Sequence, residues 1–198
     1  MKIIETFWHY LLQAALTEKQ YKHTQQGIAK HFSYSLSTIN YALRIPTQMG
    51  AVRKESKFFV LQNFPKLLLY WATVHKFEKK IIYSTYNEGG VFEKEGLVPP
   101  QGIYACYSAA RHILKEPPAD YDKVYFYLPK DYLEEAKKRF PPRKGISNLF
   151  ILAMPQVMET GSKITTLPLT FVDIWNLPDW YSRDFTKALE ERMNELLS

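Results

Sequence analysis

The 198 residues contain a single cysteine, Cys106. One thiol cannot close an internal disulfide and offers no thiolate cluster for zinc, so it is expected as a small side chain in a reduced core. Long apolar runs are also missing. The two longest candidates, residues 67–74 and 149–154, fall far short of the roughly 20 residues a membrane span needs, so no membrane partner is expected. The chain opens Met1-Lys2-Ile3-Ile4-Glu5 and soon adds His9 and Gln13, without the apolar block and small-residue cleavage site of a secretory signal. Together these point to the cytoplasm. The histidines, at 9, 23, 31, 75 and 112, are scattered with no metal-ligand spacing, and no Gly-rich phosphate loop occurs. Neither a metal nor a cofactor is expected.

Charge is present, and it is unevenly placed. The formal net charge is +6, yet residues 1–80 hold twelve Lys and Arg against four acids, a surplus of eight. Residues 81–198 hold fourteen against sixteen. A locally basic segment is what a phosphate-binding surface requires, because neutralising phosphates and releasing counterions drives much of DNA affinity.

That basic segment coincides with a helical pattern. Apolar side chains at Ile4, Phe7, Trp8, Leu11, Leu12 and Ala15 show the i, i+3, i+4 spacing of an amphipathic helix. After a polar gap over 17–23, Thr24 is placed to cap a short second helix that buries Ile28, Ala29 and Phe32. A turn at Ser33-Tyr34 leads to Ser35, the expected cap of a third helix. Ile39 and Leu43 face inward there, leaving Leu36, Ser37, Thr38, Asn40, Tyr41 and Arg44 outward. Residues of this kind read base edges in the major groove, while serine and threonine hydroxyls bond phosphates. Pro46 lacks an N–H and is expected to kink or end this helix near Leu43, and Gly50 suits positive φ after Met49. Residues 51–61 then read as a hairpin with a charged tip over 54–57, whose Arg53, Lys54 and Lys57 suit the phosphate backbone or the minor groove.

The string Thr24-Gln25-Gln26-Gly27-Ile28-Ala29-Lys30, then Ser35-Leu36-Ser37-Thr38-Ile39, Ala42-Leu43 and Met49-Gly50-Ala51-Val52, resembles winged-helix bacterial and archaeal regulators. Pro46 stands where those proteins usually have a core leucine. The resemblance implies a winged helix-turn-helix over residues 1–62 that binds double-stranded DNA. Its site residues would be Ser35, Ser37, Thr38, Asn40, Tyr41, Arg44, Arg53, Lys54 and Lys57. The other use of such a domain is protein contact.

Asn63-Phe64-Pro65 breaks the hairpin, and Pro65 suits the first position of a connecting helix over 63–80. Leu67, Leu68, Leu69, Trp71, Ala72, Val74 and Phe77 make it apolar on more than one side, so it must be covered, either between domains or by a second copy in a homodimer. Residues 81–198 read as a small α/β domain. Strands are expected over 81–86, 122–129, 148–153 and 163–167, and helices over 102–114, 133–140 and 179–197; residues 170–175 are either strand or a first helical turn. The fold class expected is therefore α+β.

No catalytic constellation emerges. Gly161-Ser162 with Asp173-Ile174-Trp175 resembles the Gly-Ser…Asp-x-Asp pattern of nucleotidyltransferases, but Trp175 occupies the place of the second carboxylate that a two-metal site requires. The layout is similar instead to the AbiEi-type antitoxins of abortive-infection systems. The resemblance runs through Leu68-Leu69-Tyr70-Trp71-Ala72, the Ala-rich stretch 105–114, Val124-Tyr125-Phe126-Tyr127-Leu128-Pro129, and Pro168 through Trp175. It implies a repressor of its own operon whose C-terminal domain counters a co-encoded toxin protein. The reading is a non-catalytic DNA-binding regulator. The alternative is a ligand-responsive regulator whose aromatic residues (Tyr104, Tyr107, Tyr125, Tyr127, Trp175, Trp180, Tyr181) hold a small molecule, and an enzyme acting on nucleic acid is the third.

Overall fold

The computed structural model describes residues 3–155 and 162–198, and its elements make an α+β chain. Two compact units are present: Met1–His75 together with Met193–Ser198, and Lys76–Arg192. No helix among the described residues is long and apolar enough to cross a membrane.

In the first unit, α1 (Ile3–Glu18) buries Phe7, Trp8, Leu11, Leu12 and Ala15 along the stripe its periodicity dictates. α2 (Gln25–Phe32) begins at Thr24, whose side chain accepts the Gly27 N–H at 3.0 Å. Its core contribution is narrower than expected, since only Ile28 is fully buried, while Ala29 and Phe32 are half-buried. α3 (Leu36–Gln48) begins at Ser35 and buries Ile39, Ala42, Leu43 and Pro46. A three-stranded antiparallel sheet follows the order β1-β3-β2. Its strands are β1 (Lys22–His23), β2 (Val52–Lys54) and β3 (Phe59–Leu61), and β1 lies in the stretch expected as a polar gap.

Pro46 departs from expectation. The helix does not stop near Leu43 but runs on to Gln48, with the proline inside it. Proline removes the N–H that would bond the Ala42 carbonyl. The indole of Trp8, on α1, donates to that carbonyl at 2.9 Å in the buried interior. A side chain from another helix thus replaces the missing backbone donor, and the buried acceptor stays satisfied. Beyond Met49, Gly50 takes φ +72°, and the Ala51 and Gly50 amides return to Pro46 and Thr47 carbonyls, closing the helix as a glycine-dependent C-terminal motif.

The expected helix over 63–80 is shorter: α4 (Phe64–Val74) ends before His75, and a 3-10 turn, Phe77–Lys80, replaces its continuation. Its covered side faces its own unit. Trp8 and Tyr70 meet edge to face at 5.1 Å, and the buried Glu5 carboxylate receives both the Trp71 indole N–H at 3.2 Å and His75 Nδ1 at 2.6 Å.

The second unit is built on a four-stranded sheet of order β4-β7-β6-β5. Its strands are β4 (Ile81–Thr85), β5 (Ile103–Ala105), β6 (Val124–Leu128) and β7 (Leu149–Ala153). β6 and β7 are parallel, joined through α7 (Leu133–Arg139), and the outer pairs are antiparallel. Every residue of β6 is buried, as a central strand covered on both faces requires. Phe126, Leu128, Leu149 and Ile151 pack with Ala136 and Phe140 on one face. On the other, Tyr125 meets Tyr107 of α6 (Cys106–Leu114), and Tyr127 donates to Asp173 of α8 (Leu167–Trp175). α9 (Ser182–Leu197) closes the chain, and a short helix, α5 (Val91–Gly96), lies in a stretch to which no element was assigned from the sequence.

Two expectations are corrected here. Residues 102–114 are not one helix, because β5 precedes α6 and the turn between them is made at Cys106, which is buried with φ +49°. Residues 163–167 form no extended strand; only a parallel bridge pairs Ile164 with Tyr104. Residues 170–175 prove to be helical, within α8.

Candidate functional site

The exposed face of α3 and the β2–β3 hairpin carry four exposed cations, Arg44, Arg53, Lys54 and Lys57, and one exposed carboxylate, Glu55. Between Glu18 and Glu78 the sequence holds nine Lys and Arg and one carboxylate, Glu55. On α3, Ser37, Asn40, Tyr41 and Arg44 are exposed at i, i+3, i+4 and i+7, a single stripe two turns long. The buried set, Ile39, Ala42, Leu43 and Pro46, follows the same spacing on the opposite side and anchors the helix.

Ser35 Oγ accepts the Thr38 N–H at 3.1 Å, the geometry of an N-cap. Its hydroxyl also lies 2.8 Å from Ser37 Oγ and 2.8 Å from Thr38 Oγ1. The first turn therefore gathers three hydroxyls where the positive end of the helix dipole lies. Thr38 is half-buried in this cluster, so the structure turns it partly away from the stripe it was expected to share. Tyr41 is 60% exposed, with the Arg44 guanidinium 5.4 Å from its ring centroid. That contact extends Arg44 along the face of the helix and limits its freedom.

The hairpin approaches from the side. Lys54 Nζ donates to Asn40 Oδ1 at 2.8 Å, joining the end of β2 to the middle of the α3 stripe. Arg53 is exposed but paired with Glu55 at 3.1 Å, so part of its charge is compensated within the hairpin. Lys57 is exposed at the tip and borders an open groove of about 470 Å³, lined by Thr24, Gln25, Gln26, Leu36, Ser56 and Lys57. The groove brings together the first turns of α2 and α3, where the leading backbone N–H groups lack partners within their own helices, and one cation.

A second open groove of about 440 Å³ shares Thr24 and is lined by Tyr10, Gln20, Lys22, His23, Gly27, Ile28 and His31. Burial lowers the pKa of His23, with its ring nitrogen 3.2 Å from the Gln20 carbonyl and its ring stacked on Phe59 at 5.7 Å. Lys22, Gln25 and Gln26 were not singled out from the sequence. β1 is two residues long, and its pairing with β3, Lys22 opposite Val60, has no local signature.

Of the seven singled-out aromatics of the second unit, Tyr107, Tyr125, Tyr127 and Tyr181 are buried and Tyr104 is half-buried, stacked on His112. Tyr107 is bonded to Asp179 and Ser182, and Tyr181 to Asp122, so these rings are packed core with tethered hydroxyls. Trp175 and Trp180 are exposed, at 46% and 77%. Asp173 is fully buried and ion-paired with Lys80 at 2.9 Å. Gly161, the other end of the pattern considered for nucleotide transfer, lies outside the described residues. No group of three or more potential metal-binding His, Cys, Asp or Glu occurs among the described residues. Comparison of the chain with protein-family models, curated proteins and solved structures finds no match.

Proposed function

We propose that the chain is a sequence-specific DNA-binding transcriptional regulator, a repressor, whose first unit is a winged helix-turn-helix. The element order α1-β1-α2-α3-β2-β3 supports this reading, with α3 as the helix in the major groove and the β2–β3 hairpin as the wing. The observation that carries it is the exposed stripe Ser37, Asn40, Tyr41 and Arg44, joined to the basic hairpin through Lys54, in a stretch holding one carboxylate. Arg44 is the candidate for reading a guanine edge, and Lys57 with the first turns of α2 and α3 for holding backbone phosphates. The antitoxin role belongs to the same proposal. The second unit would engage a co-encoded toxin, and its exposed Trp175 and Trp180 are residues of the kind that anchor protein interfaces.

The test is fluorescence anisotropy of the purified protein with duplexes from its own genomic neighbourhood, beside a random duplex, at low and moderate salt. Preference for one duplex at both salts is expected. Arg44→Ala should cost about 1–3 kcal/mol on that duplex and relax the choice at one base pair, while binding to random duplex changes little. Equal binding to all duplexes that vanishes with salt would leave only an electrostatic surface and would sink the proposal.

A further inference from the structure

The charge of Lys54 suits a phosphate, but its position gives it another task. Its Nζ donates to Asn40 Oδ1 at 2.8 Å, across from β2 to the exposed stripe of α3. An ammonium has donors only, so the amide must turn its oxygen to Lys54, and the orientation of Asn40 is set by chemistry. What the pair then shows beyond itself is the Asn40 NH₂ and the Lys54 ammonium, two donors side by side. Glu55, the carboxylate within the hairpin, is engaged by Arg53 at 3.1 Å, which leaves Lys54 to the amide.

This changes what Asn40 can read. A free asparagine pairs with adenine by accepting from N6 and donating to N7, whereas guanine offers two acceptors, O6 and N7. Lys54 takes one of the two lone pairs of Asn40 Oδ1, so an adenine N6 amino group brought to the other would lie beside the Lys54 ammonium, donor against donor. A guanine edge would meet two donors, the same pattern by which arginine or lysine reads that base. Resting on the DNA-binding reading above, we propose that Asn40 and Lys54 read one base pair as a unit and select guanine, with Lys54 setting the base choice of Asn40. Lys54 is thus a specificity-determining residue, distinct from Lys57, whose place at the hairpin tip beside the groove suits the backbone.

The experiment selects binding sites from a randomised duplex pool with the full chain and with Lys54→Met, Lys57→Met and Asn40→Ala. All three positions are exposed, and circular dichroism checks that each variant keeps its fold. The wild type should enrich a motif with guanine at the Asn40 position. Lys54→Met should convert that position to adenine, preferred on the order of tenfold, because no ammonium then stands beside Oδ1 to oppose the N6 amino group. Lys57→Met should keep the motif and weaken binding to every sequence alike, and Asn40→Ala should erase the preference at that position alone. A Lys54→Met motif identical to that of the wild type, with uniformly weaker binding, would make Lys54 a phosphate ligand and overturn the proposal. A wild type that enriches no motif removes the DNA-reading premise itself, a failure visible before any variant is compared.

Discussion

Replacing Trp8 with phenylalanine should destabilise the first unit mainly by stranding one carbonyl, and the structure gives the magnitude. Trp8 is 2% exposed and its indole N–H reaches the Ala42 carbonyl at 2.9 Å. That carbonyl lacks its i+4 helical donor because residue 46 is proline. Leaving a buried acceptor unsatisfied costs about 1–3 kcal/mol, and the lost ring volume adds about 1 kcal/mol. Trp8→Phe should therefore cost about 2–4 kcal/mol. Pro46→Ala removes buried methylenes, a loss of about 1–2 kcal/mol, but restores the N–H that Ala42 lacks. In the Pro46→Ala background, Trp8→Phe should then cost only its cavity term of about 1 kcal/mol. The coupling in a double-mutant cycle is expected at about 1–3 kcal/mol, the cost of the stranded carbonyl. Hydrogen exchange of core amides in α1 and α3 reads the stability of this unit directly. Equal costs of Trp8→Phe in both backgrounds would refute the idea that the indole replaces the proline's missing donor.

Two further outcomes follow from buried polar groups. Asp173 and Lys80 form an ion pair at 2.9 Å, with side chains 0% and 8% exposed, and Tyr127 donates to the same carboxylate at 2.7 Å. Asp173→Asn leaves the ammonium buried without its counter-charge and should cost about 3–5 kcal/mol, read from urea denaturation followed by fluorescence; a loss below 1 kcal/mol would contradict it. His23 is buried, and burial lowers its pKa below the ordinary 6.5, so the unfolded chain binds its proton more readily than the folded one. The stability it contributes is full above pH 6.5 and is lost as pH falls from there toward the lowered folded value. His23→Asn should flatten the slope of stability against pH in that window, and an unchanged slope would show that His23 is not its source.

The local chemistry of the first unit was legible in the sequence because each signal acts over a few residues. Thr24 and Ser35 cap their helices as their hydroxyls and spacing dictate, and Gly50 takes the positive φ that few other residues tolerate. The 3.6-residue period placed Ile39 and Leu43 inside and left Ser37, Asn40, Tyr41 and Arg44 outside. In the second unit, β4, β6 and β7 announced themselves through runs of β-branched and aromatic residues, and α7 through the charged stretch that Pro141 and Pro142 bring to an end.

Other features depended on partners far along the chain. Pro46 lies inside a helix whose Ala42 carbonyl is served by Trp8, 38 positions before the proline. β1 exists through its pairing with β3, and the strand–helix junction at Cys106 through the pairing of β5 with β6. The contact of Lys54 with Asn40, 14 residues apart, carries no periodic trace because a loop and a change of secondary structure separate them. The sequence by itself thus determined helix caps, buried stripes and the location of the positive charge, all of which follow from local backbone geometry and composition. Only the tertiary structure decided which orphaned backbone groups found partners and which charges were paired, because those outcomes depend on distances between segments that no local spacing encodes.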